Sequence, residues 1–358
     1  MAVTIQSGSF SQTGSLETVT VSSYVLANSI LVHTMNVDGN DNAWDGQIIA
    51  RKVSTTSISF QRRGNTGSMN VQWWLIEADD GEWTVQDIDD GGPFGGASSP
   101  FFNDHTITTV DLSRSFPIMS VRDSGDRDGT SHGRVRLTST TNVRVEQNEA
   151  ASADHEYFVQ VVELATGIGA SVQEVLFSDD ADIDQAITTV DPSKTLLFGS
   201  AYGSPGGTAD ILNEDLYRMR LNGAGTQLQL RRVNQNTGVV LTGAAYIVEA
   251  DIFSVQHASV TILDTDASED QAFTAPSDTT QAFPLMGSFY DLCHSSTNGG
   301  STVDSSVFRL TMNGAFTTMT CAREVTETLG DAFLEVMLVE IVVPSEGTVQ
   351  PALLQFHW

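Results

Sequence analysis

The residues with the best claim to chemistry lie in the segment 38–46, DGNDNAWDG. Asp38, Asn40 and Asn42 have the one-three-five spacing of the oxygen ligands in an EF-hand loop. Position six is then Ala43, where that loop needs glycine for its bend, and position twelve is Ile49, where it needs a bidentate glutamate. Asp41 belongs to the same segment, and Asp126 and Asp128 occupy the corresponding loop one repeat later. Ordinary turn chemistry is therefore expected of these carboxylates. Weak surface calcium coordination is the most they offer, and no cofactor is implied. Trp44 sits within this polar loop, where an indole has little structural reason to be. It is the first candidate for a recognition or interface residue, and Asp38, Asp41, Asp126 and Asp128 are the loop carboxylates that go with it as binding candidates.

The rest of the chain supplies no catalytic set. Its seven histidines are scattered, and none pairs with another at metal-ligand spacing. There is no nucleophile elbow, P-loop or dinucleotide fingerprint. Carboxylates are so abundant, 45 in all, that any chosen pair is meaningless as a glycosidase site without geometry. Cys293 and Cys321 match no zinc or redox motif, so two buried thiols are expected, with a disulfide between neighbouring strands as the alternative. A non-enzymatic chain is the expectation.

What positions these residues is a repeat. Four segments end in an apolar strand carrying a glutamate, followed by a short turn and Val-Gln: WWLIEADDGEWTVQ, FVQVVELATGIGASVQ, AYIVEADIFSVQ and VMLVEIVVPSEGTVQ. The shared residues Glu77, Glu163, Glu249 and Glu340 recur at intervals of roughly 86 to 91 residues. Upstream of each lies a strand-turn-strand with basic residues, starting at Arg51, Arg136, Arg220 and Arg309, which reads as a β-hairpin. Before that comes a Thr-rich strand, a turn and an apolar strand, as in TITTVDLSRSFPIMSV and AITTVDPSKTLLFGSAY. A residue present in every copy of a scaffold belongs first to the scaffold. The glutamate is thus expected to pair with the hairpin arginine or to face solvent.

Thr, Val, Ile and aromatic residues dominate the runs, Ser, Asn, Asp and Gly punctuate them, and no long segment has helical spacing. The fold class is all-β: four tandem antiparallel β-sandwich modules of roughly 86 residues. Their expected limits are 1–87, 88–174, 175–257 and 258–350, followed by an apolar tail, 351–358. Phe356 and Trp358, with Leu353 and Leu354, are expected to dock on a neighbouring chain or on the last module. Trp73 and Trp74 are adjacent on a strand and so face opposite sides, one toward the core, the other as a platform or a contact with a neighbour. The segments 36–46, 122–133, 201–214 and 291–305 vary most between copies, and variable loops on a fixed scaffold are the usual place for recognition.

Lys+Arg is 17 against 45 Asp+Glu, for a formal net charge of -28. Such a surface repels nucleic acid and anionic membranes and favours solubility. The start MAVTIQSGSF does not read as a signal peptide, and the apolar stretch 333–343 is interrupted by Glu335 and Glu340, so neither secretion by that route nor membrane insertion is expected.

The segments TTVDLSRSF and TTVDPSKTL, then RVRLTSTTNVRV, then VQVVELATGIGASVQ resemble tandem modules in virion proteins of tailed bacteriophages. Modules two and three carry the resemblance best. Module one lacks the Val-Asp turn, and module four replaces it with TTQAFP. The resemblance implies a non-enzymatic, virion-located structural protein, a tail fibre or spike subunit or a capsid decoration protein. Its partners would be copies of itself and other virion proteins. The alternative is a glycan-binding, lectin-like adhesin that recognises a host surface glycan through Trp44.

Overall fold

The computed structural model describes residues 3–38, 47–62, 68–90, 101–122, 133–147, 156–203, 217–232, 240–263, 265–287, 294–295, 308–323 and 331–342. These residues form strands, turns and three-residue 3-10 turns, and none is in an α-helix. Six strands open the chain: β1 (Val3–Gln12), β2 (Leu16–Thr20), β3 (Ser29–Asp38), β4 (Ile49–Ser54), β5 (Ser57–Gln61) and β6 (Ser68–Ala78). They make two antiparallel sheets, ordered β1-β6-β3 and β2-β5-β4. Within a module we letter the six strands a to f, so the sheets are a-f-c and b-e-d.

The same arrangement returns three times. Module two is β7 (Trp83–Asp90), β8 (Phe101–Thr106), β9 (Ser115–Arg122), β10 (Arg134–Ser139), β11 (Asn142–Gln147) and β12 (Glu156–Leu164). Module three is β13 (Ser171–Asp179), β14 (Ile183–Ala186), β15 (Thr195–Gly203), β16 (Arg218–Leu221), β17 (Gln227–Arg231) and β18 (Leu241–Glu249). Module four is β19 (Phe253–Ile262), β20 (Ser268–Ala272), β21 (Ala282–Met286), β23 (Arg309–Met312), β24 (Thr318–Ala322) and β25 (Ala332–Ile341), with the two-residue β22 (His294–Ser295) also paired to β25. The all-β class and the modular repeat are as the sequence predicts.

The sequence limits at 87, 174 and 257 fall inside β7, β13 and β19. Each of these strands pairs along its whole length with strand f of the following module. The Val-Gln after each of the first three glutamate strands therefore opens a module instead of closing one. The glutamate and the Val-Gln are close in sequence because the linker between modules is short, not because they share a sheet.

The two sheets of a module differ in burial for a reason visible in their side chains. The e strands β17 and β24 alternate between buried and partly exposed residues, as a sheet with one solvated face does. The f strands β12, β18 and β25 carry the runs FVQVV, AAYIV and VMLV, apolar except for Gln160, and these runs are buried on both faces. One face of the a-f-c sheet fills its own module. In module one this face brings together Leu31, Met35, Ile58, Phe60, Val71 and Trp73. The other face meets the other modules in a central cluster that includes Val32 and Trp74, Phe116 and Val162, Leu196 and Val248, and Phe283 and Val339. Trp73 thus serves a module core and Trp74 the contact between modules.

The modules close into a ring. Strand a of each packs on the b–c turn of the module before it: β7 on Leu26–Asn28, β13 through Val172 N–H to Ser113 O, and β19 on Pro192–Lys194. The fourth contact of this kind joins β1 to Thr279–Gln281, so the first module sits on the last.

Candidate functional site

The candidate residues read from the loops are not brought into view. Asp41, Trp44, Asp126, Asp128, Cys293, Phe356 and Trp358 lie outside the described residues, and of Asp38 only the backbone, at the end of β3, is described. Cys321 is buried in the core of module four, and burial, with Asp270 and Glu269 nearby, pushes its thiol up to about 12. His33 is half-buried beside Phe60, and desolvation there pushes its imidazole down to about 4. Among the described residues no group of three or more His, Cys, Asp or Glu stands close enough to hold a metal ion.

The repeated polar residues have structural partners. Glu77, Glu163, Glu249 and Glu340 each accept a backbone N–H from the b–c turn of their own module, from Val25 at 2.6 Å, Asp111 at 3.0 Å, Asp191 at 2.7 Å and Asp278 at 2.8 Å. This corrects the expectation of an arginine partner or a solvent-facing role. Among the described residues Glu163 alone of the four adds an arginine, Arg114 at 3.2 Å, and that residue comes from the turn, not the hairpin. Asp111, Asp191 and Asp278 cap the turn by accepting both the side-chain hydroxyl and the N–H of Ser113, Ser193 and Thr280. These bonds hold the three carboxyls below their usual range. Module four thus keeps the capped turn as Ser277-Asp278-Thr279-Thr280, one step earlier than the TTQAFP reading of the sequence places it.

The glutamine of Val-Gln is the second device. The side-chain amides of Gln6, Gln86, Gln173 and Gln256 donate to one backbone carbonyl and accept the N–H of the same residue, namely Ser22, Thr108, Thr188 and Thr274, at 2.7 to 3.1 Å. An amide that pairs twice with one residue imitates a neighbouring strand. It ties strand a to the b–c connection of its own module.

Strands c and d are sheet edges, and exposed edges invite unwanted pairing. Here each d edge is covered by strand c of the next module. Ala50 N–H donates to Ser120 Oγ at 3.2 Å, Val135 N–H to Ser200 Oγ at 2.9 Å, Met219 N–H to Gly287 O at 2.8 Å, and Leu310 N–H to Thr34 Oγ1 at 3.0 Å. The four acceptors stand at one equivalent place on β3, β9, β15 and just past β21. The fourth bond runs from module four back to module one and closes the ring. At Gly287 a Cβ would stand 2.8 Å from Met219 O, so the direct backbone contact requires glycine. Sequence reasoning missed this set, although a small residue recurs there in otherwise apolar strands: HTM, MSV, GSA and MGS.

Charged residues sharpen the individual seams. Between modules one and two, Arg51 meets Asp89 and Glu156, both at 2.8 Å, and Lys52 meets Asp87 at 2.9 Å. The ammonium of Lys52 also donates to Leu26 O and Ser29 O. Between modules three and four, Nε2 of His257 lies 2.9 Å from Pro192 O and 3.1 Å from Thr195 O. Those are the equivalent two carbonyls, so a lysine from strand d and a histidine from strand a fill the same donor seat. Arg218 and Arg220 approach Glu335 at 3.5 and 3.8 Å across the same seam. Of the hairpin arginines that recur in the sequence, Arg51 and Arg220 therefore lie at contacts between modules.

Two cavities lie where the four modules meet. The first, about 30 Å3, is lined by Ile30, Phe116, Leu196 and Phe283, the second residue of each c strand, with other apolar side chains. The second, about 80 Å3, is bordered by His33, Met119, Gly199 and Met286, the fifth residue of each. The four c strands hence run in the same sense past the centre. Their far ends, with the end of strand a and the start of strand f, gather on one side of the ring, as the pairings Asp38↔Ser68 and Gln12↔Met69 show for module one. The larger cavity is smaller than the roughly 150 Å3 that admits benzene in an engineered apolar site. It gives a saccharide no room. The chemically distinctive features among the described residues are the seams between modules. No protein-family model and no curated protein matches the chain.

Proposed function

We propose that this chain is a non-enzymatic structural protein of a tailed-phage virion, a tail fibre or spike subunit or a capsid decoration protein, acting through many weak protein contacts. The observation that carries this reading is the closed ring: four equivalent seams bury the c and d edges and gather the far ends of the c strands on one side. Attachment points repeated around one body suit many weak contacts, which made together sum to strong attachment. The formal charge of -28 suits a cationic partner surface on the particle. The phage-like strand motifs TTVDLSRSF and TTVDPSKTL, set in β-sandwich modules, agree with this use.

Mass spectrometry of purified particles from the source phage is expected to find this chain in stoichiometric amount, with immunogold labelling on the particle surface. A chain missing from particles overturns the proposal. Binding of the isolated protein to a glycan array, lost in Trp44→Ala, would instead favour the adhesin.

A further inference from the structure

The sequence has two lysines, and each stands beside an aspartate. Lys194 Nζ lies 2.7 Å from Asp251 Oδ1 at the surface, where the two side chains are 41% and 59% exposed. Lys52 Nζ lies 2.9 Å from Asp87 Oδ1 in the seam between modules one and two, and the lysine side chain is wholly shielded from solvent. The two contacts are nearly equal in length and opposite in surroundings. We propose that Lys52 and Asp87 condense into an amide bond, a covalent link between strand d of module one and strand a of module two.

The seat holds the amine as a nucleophile has to be held. Leu26 O at 2.8 Å and Ser29 O at 2.6 Å each accept a hydrogen from Nζ. An uncharged amine that gives its two hydrogens to these carbonyls turns its lone pair toward Asp87. Burial pushes the Lys52 amine below its ordinary value and the Asp87 carboxyl above its own, against their mutual attraction. Both shifts favour the uncharged amine and acid, the forms that react. Condensation also removes two charges from a place where ion pairing scarcely offsets desolvation. At the surface the hydrogen bond to Asp251 holds the Lys194 ammonium above its usual value, and a charged amine has no lone pair to attack with.

The step balances within the pair. A proton passes from Nζ to the Asp87 carboxylate along the existing contact. The lone pair attacks Cγ, a second proton moves from Nζ to the departing oxygen, and the C–O bond breaks as the C–N bond forms. One water leaves, and no oxidant, cofactor or activated donor is consumed. Holding the two groups in contact supplies the proximity, and a seat closed to solvent resists hydrolysis of the product. The amide keeps one N–H for Ser29 O, while Leu26 O retains the Ser29 N–H it already accepts. The pair occurs at one seam. Two residues after the d-strand N–H that meets the next module, Lys52 is replaced by Leu137, Leu221 and Met312. Next to the clamping glutamine, Asp87 is replaced by Glu174, His257 and Ser7.

Intact-mass spectrometry of the folded full chain tests this, with Lys52→Arg as the reference, since a guanidinium keeps the charge and does not condense. Most molecules of the parent are expected to be one water lighter than the sequence requires, and the variant to have its full mass. Digestion of the parent should yield a branched peptide joining Lys52 to Asp87 and none joining Lys194 to Asp251. The parent mass and the branched peptide decide the matter even where the variant folds poorly. A parent of full sequence mass after prolonged incubation, a water deficit that persists in Lys52→Arg, or a link at Lys194 in place of Lys52 overturns the proposal.

Discussion

The seam between modules one and two and the seam between modules four and one share a geometry and differ in chemistry. Both place a d-strand N–H on a c-strand hydroxyl, Ala50 on Ser120 and Leu310 on Thr34. The first adds the Gln160 amide, which bonds both the N–H and the carbonyl of Leu31 at 2.8 Å, the Trp83 indole on Asn28 O at 2.8 Å, and the Arg51 and Lys52 ion pairs. At the second, Gln281 Nε2 donates to Val3 O at 2.7 Å, and no ion pair crosses among the described residues. Packing and edge covering thus fix where modules meet, since these recur at all four seams. Buried charge is confined to particular seams, where it sets how costly the seam is to alter.

The largest break is expected at Lys52, whose side chain is fully buried. Lys52→Ala strands two turn carbonyls and the Asp87 carboxylate, and removing one partner of a buried pair costs about 3–5 kcal/mol. Urea unfolding measures it, and a loss below about 1 kcal/mol would place this pair with surface ion pairs. Gln160→Ala leaves both polar groups of Leu31 without their partner and should cost about 2–3 kcal/mol by the same measurement. Gly287→Ser puts at seam three–four the residue that seams one–two and two–three use. The backbones there are too close for it, and a loss of about 1–3 kcal/mol is expected from overpacking. An unchanged midpoint would show that the seams are interchangeable. Thr34→Ala removes one hydrogen bond at the chain-closing seam and should cost about 1 kcal/mol.

The smallest effect concerns acid. Burial raises the Glu156 carboxyl, but the hydrogen bonds of Arg122 and Arg51 outweigh it and hold the group below its ordinary value of 4.5. The folded chain keeps Glu156 charged where the unfolded chain takes up a proton. Its contribution is therefore present above pH 4.5 and lost as the pH falls through the lower folded value. Glu335 runs the other way. Burial raises it against Ser259, Arg218 and Arg220, so its contribution fades as the pH rises from 4.5 through its higher folded value. Unfolding titrations of Glu156→Gln should show a shallower acid loss than the parent chain. A parallel curve would exclude Glu156 as the group responsible.

Much of the fold is legible in particular residues. The Thr-rich and Val-rich runs, the capping Asp111 and Asp191, and the four glutamates on apolar strands are enough to find the repeat and its class. The limits between modules were not legible, because a strand carries no mark of which neighbour it will pair with, and β7, β13 and β19 read equally well as the end of one unit. The partners of Glu77, Glu163, Glu249 and Glu340 were also hidden, since a backbone N–H has no signature in a sequence. The apolar runs of β12, β18 and β25 are buried on both faces, but nothing in such a run tells how many modules meet.

By themselves, the residues of this chain determined strand periodicity, turn chemistry and a fourfold repetition, because these depend on local sterics and on side chains a few positions apart. Only the tertiary structure decided that the repeats close on one another. Closure depends on seams between residues as distant as Thr34 and Leu310, where a small side chain or a bare glycine lets one sheet edge reach another, and such complementarity exists only once both surfaces have formed.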